Sequence, residues 1–230
     1  MRVFRTPLLN GVLIRRYKRF LADVRFPNGT VRTVHVANPG AMTGCAIPGS
    51  EVLVSDSGDP RRKLPLSWEL VRVGRTWVCV NTAIANRTVR GWLEAGRLFA
   101  DAGPLRAEPR HGSSRFDFAL GDDVMIEVKT VTLLPERGVG AFPDSVTARG
   151  RRHMEELAAL RGPRRVVIFF VARGDVRVVR PADEIDPAYG DALRHAVDAG
   201  VEVIALGARF DRHGVHWRGE LPVDLGRAVH

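Results

Sequence analysis

Cysteine and long apolar stretches are both scarce in this sequence. Its 230 residues include two cysteines, Cys45 and Cys79, which are too few for a disulfide framework or a four-thiolate zinc site. We expect both thiols to be buried, and the sequence leaves open whether they form a disulfide with each other. The longest apolar run, Val166 to Ala172, has seven residues and is too short to cross a membrane. The first residues lack an apolar stretch that ends in a small-residue cleavage site, so we expect a cytoplasmic protein.

Acidic residues are outnumbered, and the imbalance lies at one end of the chain. There are 35 Lys and Arg against 26 Asp and Glu, a formal net charge of +9. Residues 1–82 contain 13 basic and 5 acidic residues, whereas residues 83–230 contain 22 and 21. This asymmetry predicts two domains, at 1–82 and 83–230. An electropositive domain indicates a polyanionic partner, nucleic acid in the first place and an anionic membrane surface in the second.

Short alternating runs fill residues 1–82. Residues 19–26 alternate apolar and polar positions, and Asn28-Gly29 separates them from a similar run at 30–36, a strong sign of a β-hairpin. Further strands are expected at 51–55, 66–73 and 76–81. A series of short strands without a convincing helix favours a small antiparallel barrel or sandwich, and an OB-like barrel is one candidate.

Helices and strands alternate in residues 83–230. Apolar positions at helical spacing predict helices over 82–102, 145–160 (with Asp144 as its N-cap) and 188–199. The expected strands are 115–120, 124–129, 165–172, 176–179 and 201–206, with a loop rich in glycine and proline at 134–143. This order predicts an α/β domain with a mixed sheet. The residues from Arg209 onward have no clear assignment.

Candidate catalytic residues lie in the hairpin formed by the strands at 115–120 and 124–129. A two-residue connection would place a carboxylate on the apolar face. The three-residue connection 121–123 instead pairs residues 116, 118 and 120 with 128, 126 and 124. We expect the second register, because the face to be buried determines the pairing. It places Asp117 opposite Glu127, with Cβ atoms about 5 Å apart, and Lys129 on the same face as Glu127.

Two facing carboxylates repel each other unless a cation lies beside them. Mg²⁺ (or Mn²⁺) is commonly held by one or two carboxylates together with phosphate oxygens and water, so Asp117 and Glu127 are the candidate metal ligands. Lys129, one of only three lysines in the chain, is placed to orient a water or to offset charge on a phosphate. Asp-x9-Glu-x-Lys across a hairpin is the pattern of the PD-(D/E)XK nuclease-like (restriction-endonuclease-like) fold, which makes these three the predicted catalytic residues. The alternative is a solvated polar face that has no catalytic role.

Contacts to nucleic acid are expected from cations at three places. Basic residues alternate with Tyr17 and Phe20 in the first domain, a combination suited to phosphate contact and base stacking, although Phe20 also fits the core. A second cluster follows in a loop bounded by Gly and Pro, and a third pair lies four residues apart on the helix over 145–160. The predicted DNA-binding residues are Arg15, Arg16, Lys18, Arg19, Arg61, Arg62, Lys63, Arg149 and His153. His153 equally suits a solvated surface histidine.

Several long stretches carry a resemblance to a known family. They include 13–24, 38–45 (Asn-Pro-Gly-Ala-Met-Thr-Gly-Cys), 115–118 (Arg-Phe-Asp-Phe), 126–133 (Ile-Glu-Val-Lys-Thr-Val-Thr-Leu) and 142–147. In these the chain resembles the sugar fermentation stimulation protein A (SfsA) family over nearly its full length. The resemblance implies an N-terminal OB-like domain, a C-terminal nuclease-like domain, non-specific DNA binding and a regulatory role in sugar (maltose) metabolism. Phe116 stands where the nuclease pattern has its first proline, a structural position outside the predicted catalytic set.

Two main functions stay open from the sequence. The first is a DNA-binding protein whose second domain is a Mg²⁺-dependent phosphodiesterase, with DNA and no membrane as its partner. The second is a non-enzymatic DNA-binding regulator that keeps a nuclease-like fold without turnover. A nuclease-like domain that acts on RNA is a third, weaker option.

Overall fold

Residues 1–4, 7–111 and 114–226 are described by the computed structural model, and they form two domains. The described part of the first domain is built from strands alone. These strands are β1 (Leu9–Tyr17), β2 (Leu21–Arg25), β3 (Val31–His35), β4 (Glu51–Asp56), β5 (Leu66–Val73) and β6 (Thr76–Cys79). Strands β2 and β3 form the hairpin expected around Asn28-Gly29, in which Gly29 has a positive φ of 82°.

The first five strands close into a barrel. Their order is β3-β2-β1-β4-β5, and β3 returns to β5 through the parallel pair His35 and Ser67. Alternating valines from these strands fill the interior around the fully buried Trp68. The expected OB barrel is therefore confirmed. Strand β6 extends beyond it, and Cys79 N–H donates to Ala172 C=O in the second domain.

The second domain contains three helices and eleven strands within its described residues. The helices are α1 (Thr82–Glu94), α2 (Ala148–Ala159) and α3 (Pro187–Asp198). The strands of the amino-terminal half are β7 (Leu105–Ala107), β8 (Arg110–His111), β9 (Ser114–Arg115), β10 (Phe118–Leu120), β11 (Val124–Val131), β12 (Leu133–Glu136) and β13 (Val139–Phe142). Those that follow are β14 (Arg164–Val171), β15 (Val178–Pro181), β16 (Glu202–Asp211) and β17 (Gly214–Leu221).

A six-stranded mixed sheet organises this domain. Its order is β17-β16-β14-β11-β10-β7, and the central strands β11, β14 and β16 are parallel. One face packs against α1 and part of the barrel, so Trp92 and Phe170 share a cluster with Leu53 and Leu70 of the first domain. The other face packs against α2 and α3. The expected α/β domain is confirmed, and its hydrophobic core continues into the barrel.

The predicted hairpin register is confirmed in its upper part and broken at its base. Phe118 pairs with Ile126 and Leu120 with Val124, as the three-residue connection requires. The expected pairing of Phe116 with Val128 is wrong, because the chain bends at Asp117. Phe116 consequently packs on the α2 side of the sheet, whereas Phe118 packs on the α1 side.

Three local expectations are corrected by the structure, and one unassigned segment receives its structure. The first helix ends at Glu94, well before residue 102, and the segment 134–143 contains the hairpin of β12 and β13 instead of an irregular loop. Asp144 is not a helix cap: Thr147 caps α2 by accepting from Gly150 N–H. The unassigned residues from Arg209 onward lie in β16 and β17.

The two cysteines are buried thiols, as expected. Cys45 and Cys79 are both buried and free, and burial raises the pKa of the Cys45 thiol to about 11. No helix in the described ranges is both long and apolar enough to span a lipid bilayer.

Candidate active site

Asp117 lies at the bend before β10, and three groups hold it there. Its backbone N–H donates to Ile126 C=O at 3.1 Å, which fixes the bend against β11. Its Oδ2 accepts from Val128 N–H at 2.7 Å, and its Oδ1 accepts from the Asn86 side-chain amide of α1 at 2.5 Å. The carboxylate is therefore oriented by the neighbouring strand on one side and by α1 on the other.

Glu127 projects from the middle of β11 towards α2 and is only 4% exposed. Its Oε1 lies 2.7 Å from Lys129 Nζ and 2.5 Å from His153 Nδ1. Its Oε2 is buried and has no hydrogen-bond partner among the described residues. One oxygen of this carboxylate is therefore fully engaged, and the other has unused acceptor capacity in a region where that is costly.

The two carboxyl groups have pKa values shifted in opposite directions. Burial and then the negative charge of Glu127 raise the pKa of Asp117 to about 6, although donors from Val128 and Asn86 partly offset this. Burial also raises the pKa of Glu127, but the hydrogen bond from His153 and the charge and hydrogen bond of Lys129 outweigh it and hold the pKa below its usual range. Two neighbouring acids with different affinities for protons are typical of functional sites.

Asp117, Glu127 and Lys129 are thus brought to one place, although Asp117 lies at the bend and not in the strand pair with Glu127 that the predicted register required. Within the described ranges, no group of three or more His, Cys, Asp and Glu side chains is arranged to hold a metal ion. Any cation here would have two protein carboxylates, with water and substrate oxygens as further ligands, which suits Mg²⁺ better than a metal that needs a full protein cage. The unpartnered Glu127 Oε2 fits such a cation.

His153 and Arg149 lie on α2 beside this site. His153 is 4% exposed and contacts Glu127, and its ring packs against the edge of Phe116. This differs from the sequence expectation of a phosphate contact or a solvated side chain, because the buried ring is closed off by α2 and β11. Arg149 Nε lies 3.4 Å from His153 Nε2, and Arg149 also lines the cavity next to the site.

An interdomain cleft of about 540 Å³ leads to Lys129. Its walls come from both domains and include Arg19 and Gly40 of the first, and Asp144 and Arg149 of the second. Asp144 joins the walls, since its Oδ2 accepts from Met42 N–H at 2.9 Å. A side chain at residue 40 would collide with Asp144, because a Cβ there would overlap both carboxylate oxygens.

The predicted DNA-binding residues of the β1–β2 hairpin have different roles in the structure. Lys18 and Arg19 form its turn with φ values of 47° and 62°, a left-handed conformation that Asn-Gly usually supplies. Arg19 reaches the cleft. Arg16 instead donates to the carbonyls of Asn38, Gly40, Ala41 and Arg19 at 2.8–3.0 Å, and so holds the wall of the cleft together. Arg15 pairs with Asp23 at 2.8 Å.

Arg61, Arg62 and Lys63 are exposed in the loop between β4 and β5. Arg61 pairs with Asp59 at 3.0 Å and is 88% exposed, so this contact with a solvated partner leaves it accessible. Arg62 borders a second cavity of about 340 Å³ next to the buried Glu69. These cations lie outside the cleft that leads to Lys129.

Asn86 also belongs to the site, and no pattern in the sequence identifies it as a partner of Asp117. Its amide contacts Asp117 across 31 positions of sequence. The sequence places Asn86 within the helix expected over 82–102 and gives it no role at the site. The angle at which α1 packs on the hairpin decides the contact, and sequence spacing does not report that angle.

Comparison with known proteins gives matches over both domains. Residues 14–80 match the family model described as the SfsA N-terminal OB domain, and residues 83–214 match that of the sugar fermentation stimulation protein RE domain. Two curated relatives are each described as a sugar fermentation stimulation protein homolog. The one from Thioalkalivibrio sulfidiphilus is 47% identical over 98% of this chain and 99% of its own length, and that from Pseudomonas aeruginosa LESB58 is 50% identical over 96% and 99%.

A solved structure is also similar across the whole chain. It is described as the structure of Pyrococcus furiosus SfsA in complex with Ca²⁺, and it superposes with a TM-score of 0.87 at 26% sequence identity. The match covers 97% of this chain and 99% of that chain. With both domain models and full-length relatives in agreement, the chain belongs to the sugar fermentation stimulation protein (SfsA) family.

Proposed function

We propose that this protein binds nucleic acid, DNA in the first place, and hydrolyses its phosphodiester bonds with a divalent cation held at Asp117 and Glu127. The observation that carries the proposal is the convergence of Asp117, Glu127 and Lys129, together with a buried oxygen of Glu127 that has no hydrogen-bond partner in the described chain. Two acids and an ammonium in this arrangement suit the PD-(D/E)XK nuclease chemistry expected from the sequence.

Mg²⁺ or Mn²⁺ is the proposed cation. The donor set is oxygen only, and Glu127 Oε2 is directed into a buried position where a positive charge would be favourable. The Pyrococcus furiosus relative is described as a complex with Ca²⁺, another cation that prefers oxygen ligands, which supports the proposal. When bound, such an ion activates water and stabilises negative charge on a phosphate.

The side chains of the site have distinct tasks in this proposal. Asp117 and Glu127 hold the cation, and the donors from Val128 and Asn86 keep the Asp117 carboxylate turned towards β11. Lys129 Nζ, only 11% exposed at the side chain, orients the attacking water and offsets charge that develops on the phosphate. Its compact ammonium fits beside Glu127, where a planar guanidinium would need more room.

Contact with the DNA backbone is assigned to the basic first domain. The turn formed by Lys18 and Arg19 places cations near the cleft in a conformation that costs about 1 kcal/mol or more per residue outside glycine. Arg61, Arg62 and Lys63 add exposed positive charge at a second place. Contacts of this kind bind phosphates without reading sequence, and they weaken steeply with salt.

A non-enzymatic DNA-binding regulator, linked to sugar metabolism, is the second candidate. One observation favours it: Lys129 already lies 2.7 Å from Glu127, so this carboxylate has a counter-charge without a metal ion. In this case the second domain retains its fold as a rigid support for the basic barrel.

Cleavage assays separate the two candidates. Wild-type protein and Lys129→Ala are incubated with plasmid, single-stranded DNA and RNA in Mg²⁺, in Mn²⁺ and in EDTA. Arg90→Ala, which removes an exposed cation paired with Glu94 on α1, is the control. We expect metal-dependent cutting of DNA that Lys129→Ala loses and Arg90→Ala keeps. DNA binding without any cutting would favour the regulator. Cutting of RNA alone would show that the substrate is RNA and not DNA.

A further inference from the structure

The contacts of His153 determine where the proton on its ring lies. Arg149 Nε is a hydrogen-bond donor, and it is directed at His153 Nε2. A neutral imidazole has one nitrogen that accepts and one that carries the proton. Because the Glu127 carboxylate can only accept, the proton lies on Nδ1, which donates to Glu127 Oε1 at 2.5 Å, and Nε2 is left as an acceptor towards Arg149. Arg149, His153 and Glu127 therefore form a directed chain of donors.

This chain distinguishes the two oxygens of Glu127. Oε1 receives donors from His153 and Lys129, whereas Oε2 receives none from the described chain. An oxygen that already accepts two hydrogen bonds is a poor ligand for a cation, since its lone pairs are occupied. The edge contact with Phe116 and the burial of the ring prevent His153 from rotating away.

We infer that His153 is a positioning residue, with Arg149 as its partner at Nε2: the Nδ1–H of His153 holds Glu127 by Oε1 so that Oε2 faces the cation. The inference rests on the proposed function. Neither residue needs to touch the reacting phosphate for this role. Arg149 also lines the cleft, so the same side chain has room for a phosphate contact.

The tautomer is tested first, on metal-free protein, through the ¹⁵N shifts of the histidine rings. His153→Asn identifies the signals of His153 among those of the seven histidines. We expect the Nδ1–H form in wild-type protein and, because Glu127 remains the acceptor, in Arg149→Ala as well. Arg152→Ala, an exposed arginine on the same helix that pairs with Glu156, should leave the tautomer unchanged. A wild-type ring protonated on Nε2 overturns the inference, whatever the metal result.

Affinity for Mn²⁺ alone, measured by calorimetry or electron paramagnetic resonance without nucleic acid, provides the second readout. We expect His153→Ala to weaken binding about 10- to 100-fold, the usual effect of losing a partner of a metal ligand. His153→Asn, whose amide nitrogen substitutes for Nδ1, should recover most of the affinity. Arg149→Ala should weaken binding by a few fold and, being exposed, should fold normally.

The outcomes separate this inference from the proposed function. If wild-type protein binds no Mn²⁺, the proposed function fails and the positioning role fails with it. If wild-type protein binds Mn²⁺ and all of the His153 and Arg149 variants bind it equally well, only the positioning role fails. Thermal unfolding of His153→Ala shows whether a loss of affinity reflects a loss of fold, and His153→Asn, which keeps a donor towards Glu127, then decides the question.

Discussion

Replacing Asp117 by asparagine should make the stability of the protein less sensitive to pH, and the size of the effect follows from the site. Burial and the charge of Glu127 raise the pKa of Asp117 from an ordinary 3.8 to about 6. The two values differ by about 2.2 pH units, and each unit corresponds to about 1.36 kcal/mol, so ionisation of Asp117 costs the folded state about 3 kcal/mol at most.

The sign of the effect follows from proton binding. Between the two pKa values the folded state binds more protons at Asp117 than the unfolded chain does. The stabilisation from this group is therefore complete below about pH 3.8 and disappears as the pH rises through 6. The asparagine side chain of the variant would carry no charge at any pH. The unfolding free energy of Asp117→Asn minus that of wild type should thus increase with pH by up to about 3 kcal/mol, mostly between about pH 4 and pH 7.

Urea unfolding in EDTA, at half-unit steps from pH 4 to pH 8, measures this difference. The amide of the variant accepts the hydrogen bonds from Val128 and Asn86 less well than a carboxylate does. This loss changes the unfolding free energy by a constant amount that does not vary with pH. Asp122→Asn, which removes a fully solvated carboxylate from the same hairpin, is the control. A difference that is flat or that falls with pH would refute the assignment of Asp117 to a buried acid pair.

Three further outcomes are expected. Replacing Arg61 and Arg62 together by Ala should lower DNA affinity equally for unrelated sequences and should reduce the slope of log K against log salt by about 1.8, as measured by fluorescence anisotropy between two salt concentrations; an unchanged slope would remove this loop from the interface. Arg16→Ala should lower the unfolding free energy by about 2 kcal/mol or more in urea titrations, because four backbone carbonyls lose a charged donor; a neutral effect would show that solvent replaces the guanidinium. Gly40→Ala should destabilise the protein by about 1 kcal/mol, since the Asp144 carboxylate would have to move away from the new Cβ and give up its hydrogen bond with Met42 N–H, and calorimetry should show a lower melting temperature.

The sequence specifies those features of the site that depend on local spacing. The register of β10 against β11 follows from the requirement to bury Phe118 and Leu120 opposite Ile126 and Val124. That register also brings Asp117 near Glu127. The barrel is predictable in the same way, because alternation and an Asn-Gly turn are properties of neighbouring residues.

The features that the sequence misses depend on how distant segments pack. Aspartate is a residue type that often caps helices, but the Asp144 carboxylate instead accepts a hydrogen bond from Met42 N–H in the other domain. Arg16 belongs to a run of cations, yet it is used to hold the loop at 38–41. His153 looks like a surface residue by its spacing, but α2 packs close enough to β11 to bury it against Glu127. Each of these side chains takes its role from a partner that is distant in the sequence.

The cluster that joins Leu53 and Leu70 to Trp92 and Phe170 has a consequence for how this protein can be divided. Cutting the chain between the barrel and the sheet would strip both fragments of apolar partners and would break the backbone contact between Cys79 and Ala172. Either half expressed alone would therefore expose a hydrophobic surface and aggregate. The barrel and the sheet are expected to melt in a single cooperative transition, and neither can be exchanged between homologues without its counterpart.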